Sequence, residues 1–69
     1  MSKVKKKDLE TYIAQYGGTL VKLTNGNYNI RNGDKSVNIG KPDSSNKWAA
    51  AQLQRAWGDA TDIPKPDWL

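Results

Sequence analysis

The chain has 69 residues, and 11 Lys and Arg against 7 Asp and Glu give a net charge of +4 and a pI near 9.5; a chain this short makes one domain near the lower limit for folding without staples. It contains no Cys and no His, which excludes disulfides, zinc sites of the Cys/His kind and any mechanism built on a histidine base. No apolar run approaches the ~20 residues that span a bilayer, and "MSKVKKKDLE" lacks the apolar segment of a secretory signal, so a cytoplasmic location and no membrane partner are expected.

Residues 1–4 read as a flexible basic N-terminus, followed by one domain over 5–58 and a tail over 59–69. In "KKKDLETYIAQY", residues 5–16, Leu9, Tyr12, Ile13 and Tyr16 recur at helical spacing on one face. Gly17 and Gly18 supply the stop, since a glycine just past the last periodic residue commonly ends a helix. Ser2 or Asp8 is the candidate cap, whereas Lys5, Lys6 and Lys7 face the positive end of the helix dipole unfavourably.

Three alternating runs follow in "GTLVKLTNGNYNIRNGDKSVNIGK", residues 18–41. Asn25-Gly26 is a strong hairpin signal, because both residues tolerate the positive φ of a tight two-residue turn. Such a turn sets Leu23 opposite Tyr28 and Val21 opposite Ile30. A second turn at Gly33-Asp34 sets Ile30 opposite Val37 and Tyr28 opposite Ile39. Val21, Leu23, Tyr28, Ile30, Val37 and Ile39 then share a buried face, leaving Leu20, Lys22, Asn27, Asn29, Arg31, Ser36 and Asn38 on the wet side.

"GKPDSS", residues 40–45, reads as a loop, and Ser44 or Ser45 caps a helix through "NKWAAAQLQRAWG" that Gly58 ends. Ala49, Ala50, Leu53, Ala56 and Trp57 form its inward stripe, and helical spacing sets Trp48 on the outer side near Gln52 and Arg55. Pro64 and Pro66 make "DATDIPKPDWL" an extended tail that packs back on the domain. The predicted fold is α+β: an α-β-β-β-α chain whose three-stranded antiparallel meander carries both helices on one face.

This order resembles the double-stranded-RNA-binding domain and, more nearly, the HicA-type toxin, a small ribonuclease on the same fold. The likeness lies in "KKKDLETYIAQYGGTLVKLTNGNYNIRNGDKSVNIGK". A HicA-like chain has a Lys-rich helix ending in glycine, then Leu-Val-basic, then Gly-Ser-His; here Leu20-Val21-Lys22 and Gly26-Asn27-Tyr28 occupy the last two places. Tyr28 or Asn29 stands where that family has its histidine. The resemblance therefore implies a fold without the family's cleavage chemistry, and no ribonuclease of that type is expected.

Binding is what the resemblance leaves. Double-stranded-RNA-binding domains touch a duplex with the first helix, the loop between the first two strands and the start of the last helix. The matching positions are Lys5 and Lys6, then Asn25 and Asn27, then Lys41 and Lys47, with Lys47 expected at a helix N-terminus that favours phosphate. Lys22 and Arg31 on the open sheet face complete the candidate set. Nine of the eleven cations are Lys, which suits diffuse phosphate attraction better than bidentate base reading. The leading expectation is a non-catalytic, phosphate-directed binder of an RNA or DNA duplex. The alternative is a small inhibitor or adaptor, of the kind mobile elements encode, that docks on a protein through Trp48, Arg55, Trp68 and Leu69. No cofactor or metal is expected, and the oligomeric state is open.

Overall fold

A computed structural model describes residues 3–69. The chain runs β1 (Lys3–Lys5), α1 (Lys6–Ala14), β2 (Thr19–Lys22), β3 (Tyr28–Asn32), β4 (Lys35–Gly40), β5 (Lys47–Ala49) and α2 (Ala50–Trp57). The fold is α+β: β2, β3 and β4 form an antiparallel meander between the two helices in the expected α-β-β-β-α order. Two further strands, β1 and β5, pair antiparallel as a separate ribbon. Lys3 and Val4, expected in a flexible terminus, belong to that ribbon, and Val4 is buried opposite Trp48. Met1 and Ser2 of the expected terminus, including Ser2 as a candidate cap, lie outside the described residues.

Both helices cover the same face of the meander. Leu9 and Ile13 of α1, with Ala50, Leu53 and Trp57 of α2, enter one core with Tyr28, Ile30 and Ile39. Tyr16, expected on the inward face, is 44% exposed because the helix has already ended. The Gly17 and Gly18 N–H groups donate to the Ala14 and Ile13 carbonyls at 3.1 and 2.9 Å, a Schellman closure with Gly17 at φ 80°. No side chain caps either helix start. The Lys6 N–H is instead satisfied by the Asn46 carbonyl at 3.0 Å, which ties α1 to the loop before β5.

The first hairpin is one residue out of the expected register. Leu20 faces Ile30, Val21 faces Asn29 and Lys22 faces Tyr28. The cause is the turn: Gly26 N–H donates to the Leu23 carbonyl at 3.1 Å and Leu23 N–H to the Asn27 carbonyl at 2.8 Å. The loop is thus the three residues Thr24, Asn25 and Gly26, with Gly26 at φ 90°, a turn followed by a left-handed glycine rather than a two-residue turn. One added loop residue moves every β2 side chain to the other face. Leu20 therefore packs against the core, and Val21 and Leu23 are only half-buried.

At the second hairpin Ile30 does face Val37, but Tyr28 faces Gly40 rather than Ile39. An extra residue in β4 opposite the step from Tyr28 to Asn29 makes a bulge. Gly40 accommodates it at φ 85°, and its N–H donates to Asn38 Oδ1 at 2.8 Å. Ile39 remains buried.

The last helix begins at Ala50, not at the serines, because Lys47–Ala49 is extended and pairs with β1. Trp48 thus alternates inward as a strand residue and is fully buried, not on an outer helix face beside Arg55. The segment after Gly58 folds back without regular structure. Its carbonyls are taken by side chains: Asn32 Nδ2 donates to Thr61 at 2.8 Å, Trp57 Nε1 to Ile63 at 2.8 Å and the Tyr12 hydroxyl to Pro64 at 2.5 Å. Ile63 and Thr61 are buried by this strapping, which satisfies backbone groups that no sheet or helix would.

Candidate nucleic-acid interface

Five of the eight candidate basic and amide residues converge at one end of the molecule, around Tyr28. Lys5 and Lys47 face each other directly across the β1–β5 ribbon. Lys6, the next residue along, holds its ammonium 5.6 Å from the centre of the Tyr28 ring, within range of a cation–π attraction. Lys22 is the cross-strand partner of Tyr28. Lys41, just past β4, reaches back over the first hairpin: a methyl built on Gly26 would lie 3.1 Å from its Cε.

Tyr28 organises this end from beneath. Its ring meets Trp48 edge-to-face at 5.3 Å, and Trp48 Nε1 donates to the Gly40 carbonyl at 3.2 Å. The bulge, the buried indole and the phenol ring form the floor, and the lysines stand on it. Tyr28 itself is 7% exposed, so its hydroxyl ring is a support and not a surface group.

The other candidates fall elsewhere or are already engaged. Asn25 Oδ1 accepts the Asn27 N–H at 3.1 Å and so serves the turn. Arg31 lies on the opposite sheet face, in a row with Thr19 and Ser36, and does not join the lysine group. Lys47 lies three residues before α2, so the free N–H groups of a helix start do not support it as expected. Of the alternative set, Trp48 is fully buried and Leu69 packs against the core, while Trp68 is 46% exposed and Arg55 is exposed. The anchor pairing of Trp48 with Arg55 therefore does not exist.

Neither of the two ion pairs found among the described residues involves these five lysines; they join Lys3 to Asp43 and Lys35 to Asp62. Asp43 is the site residue that sequence reading passed over. Its Oδ1 accepts the Ser45 and Lys47 N–H groups at 2.8 and 3.1 Å, and its Oδ2 meets the Lys3 ammonium at 2.6 Å. Backbone bonds from Asp43 N–H to the Lys47 carbonyl at 2.8 Å and from Asn46 N–H to the Asp43 carbonyl at 3.0 Å close the loop. The Lys3 ammonium first, then the two N–H donors, hold the carboxyl down at about 2. The signal was present: an Asp followed by Ser-Ser-Asn is a side-chain-closed turn.

The fold and site thus define a small α+β domain with five lysines that join no ion pair among the described residues. Comparisons with known protein families, with curated proteins and with solved structures return no match. No helix among the described residues is long and apolar enough to cross a membrane.

Proposed function

We propose that the chain is a non-catalytic nucleic-acid-binding domain, working in the cytoplasm, that grips the phosphates of a duplex with Lys5, Lys6, Lys22, Lys41 and Lys47. One observation carries this reading. Lys5 and Lys47 are placed directly opposite each other in register, an arrangement that costs stability in a free protein, and no carboxylate among the described residues pairs with either. An anion seated between them removes that cost. Duplex phosphates supply a row of such anions, and lysine ammoniums bind them as point charges without reading base sequence.

The absence of His from the sequence and the burial of Tyr28, which with Asn29 is a candidate for the place of the HicA-type histidine, support binding without cleavage. Tyr28 has no access to a scissile phosphate. The test is a titration of a blunt 20-base-pair duplex at several salt concentrations. Five phosphate contacts give a log–log slope of about −4 to −5. Affinity that does not change with salt, or no binding at low salt, removes the proposal.

A further inference from the structure

A groove of about 430 Å³ runs between β1, one stripe of α1 and the end of the tail, outside the lysine cluster. This volume lies in the range of small-ligand sites. Its walls are Val4, Tyr12 and Trp68, and its polar groups are Lys3, Asp8, Thr11 and Gln15. Asp8 and Tyr12 of α1 and Gln15, its C-cap residue, fall at helical positions i, i+4 and i+7, so one side presents all three. Trp68 meets the Tyr12 ring edge-on at 5.8 Å, which leaves the indole 46% exposed. Tyr12 is fixed in turn by its hydrogen bond to the Pro64 carbonyl, and loss of hydration, with Tyr16 beside it, pushes its hydroxyl up to about 12.

We infer that this groove takes a single unstacked nucleobase, from a strand whose neighbouring phosphates lie on Lys5 and Lys47; the inference rests on the proposed function. Flat apolar walls suit the face of a base, because stacking on an aromatic side chain needs no particular sequence. The Gln15 amide donates and accepts, and the Asp8 carboxylate, which is in neither ion pair, accepts from an exocyclic amine. Both groups are exposed, and the edge of a base offers a partner to each where an aliphatic anchor offers none. Lys3 and Lys5 project from the same side of β1, about 7 Å apart as alternate residues of a strand. Lys3, on the groove wall, is thus one strand repeat from Lys5 of the lysine cluster. Lys3 itself is held by Asp43, so the phosphates flanking the base fall to Lys5 and its partner Lys47.

The test compares three duplexes of equal length: blunt, with a four-nucleotide single-stranded overhang, and with the same overhang made abasic. Trp48 and Trp57 are 0% and 2% exposed, so quenching of tryptophan emission reports on Trp68. The base-bearing overhang is expected to quench emission and to bind about tenfold more tightly than the blunt duplex, the effect of one stacked base. The abasic overhang does neither, and in Trp68→Ala the ratio of overhang to blunt affinity falls to about one. Equal affinity for base-bearing and abasic overhangs overturns the inference while leaving duplex binding intact. A change in Trp68 emission with a tryptophan-free aliphatic peptide but not with the overhang also overturns it, as a protein-docking groove. Failure of all three duplexes to bind removes this inference together with the proposed function.

Discussion

One carboxylate, Asp43, closes the loop between β4 and β5 and links it to β1. Its three partners are the Lys3 ammonium and the Ser45 and Lys47 N–H groups, all of which bind the ionised form. With its pKa lowered from 3.8 to about 2, the folded state holds its proton less tightly than the unfolded state does. The stabilisation it gives is therefore complete above about pH 3.8 and is lost as pH falls through about 2. Asp43→Asn is expected to lower the thermal midpoint by the same amount throughout pH 4 to 7, and the difference from the parent should shrink below pH 3.8. Thermal melts followed by circular dichroism at stepped pH measure this. A difference that is unchanged at pH 2 would show that the carboxylate's charge does not matter. Added salt should reduce the Lys3 share, since that pair is solvent-exposed.

At the level of elements, the two hairpins show which sequence signals settle a fold and which leave it open. The alternation with its Asn-Gly and Gly-Asp breaks placed three strands, and helical spacing with its glycine stops placed two helices. Together they placed the shared core of Leu9, Ile13, Ile30, Leu53 and Trp57, although the second helix starts later than expected, at Ala50. Register was not legible, because Thr24-Asn25-Gly26 can close either a two-residue or a three-residue loop and the run Leu20-Val21-Lys22-Leu23 has apolar residues in both phases, Val21 and Leu23 in one and Leu20 in the other. Trp48 was misplaced for a related reason. Three alanines after it give strong helix propensity, yet pairing with β1 holds Lys47–Ala49 extended, a long-range contact that no local window contains. Two positions, Gly26 in the first turn and Trp48 in β5, carry measurable costs. Gly26→Ala puts a Cβ on a residue at φ 90° and against Lys41, and should cost about 1–2 kcal/mol in urea unfolding. Gly26→Asn should cost less, since Asn tolerates that backbone. Trp48→Ala empties the floor beneath Tyr28 and should cost about 3–5 kcal/mol, enough to unfold a domain of this size. A helix-surface Trp would cost a few tenths, and that result would return Trp48 to the outside.

The whole molecule separates its charge from its core: both helices and the tail bury one face, and the lysines gather where the ribbon and the bulged end of the meander meet. The convergence of Lys5 with Lys47 required the structure, since they are 42 residues apart in sequence and meet through β1–β5 pairing. That pairing sets stability against binding, and one substitution distinguishes the two. Lys47→Glu converts a like-charge cross-strand pair into an opposite-charge pair, which is expected to stabilise the fold by about 0.2–1 kcal/mol. The same change removes one phosphate contact and places an anion in its path. Duplex affinity should fall about tenfold or more at ~100 mM salt, and the log–log slope should shrink by about one. Urea unfolding and a salt series on the same protein sample measure both quantities. Improved stability with no change in binding would show that Lys47 meets no phosphate. Opposite movement of the two quantities is the signature of a site whose repulsion is relieved by its ligand.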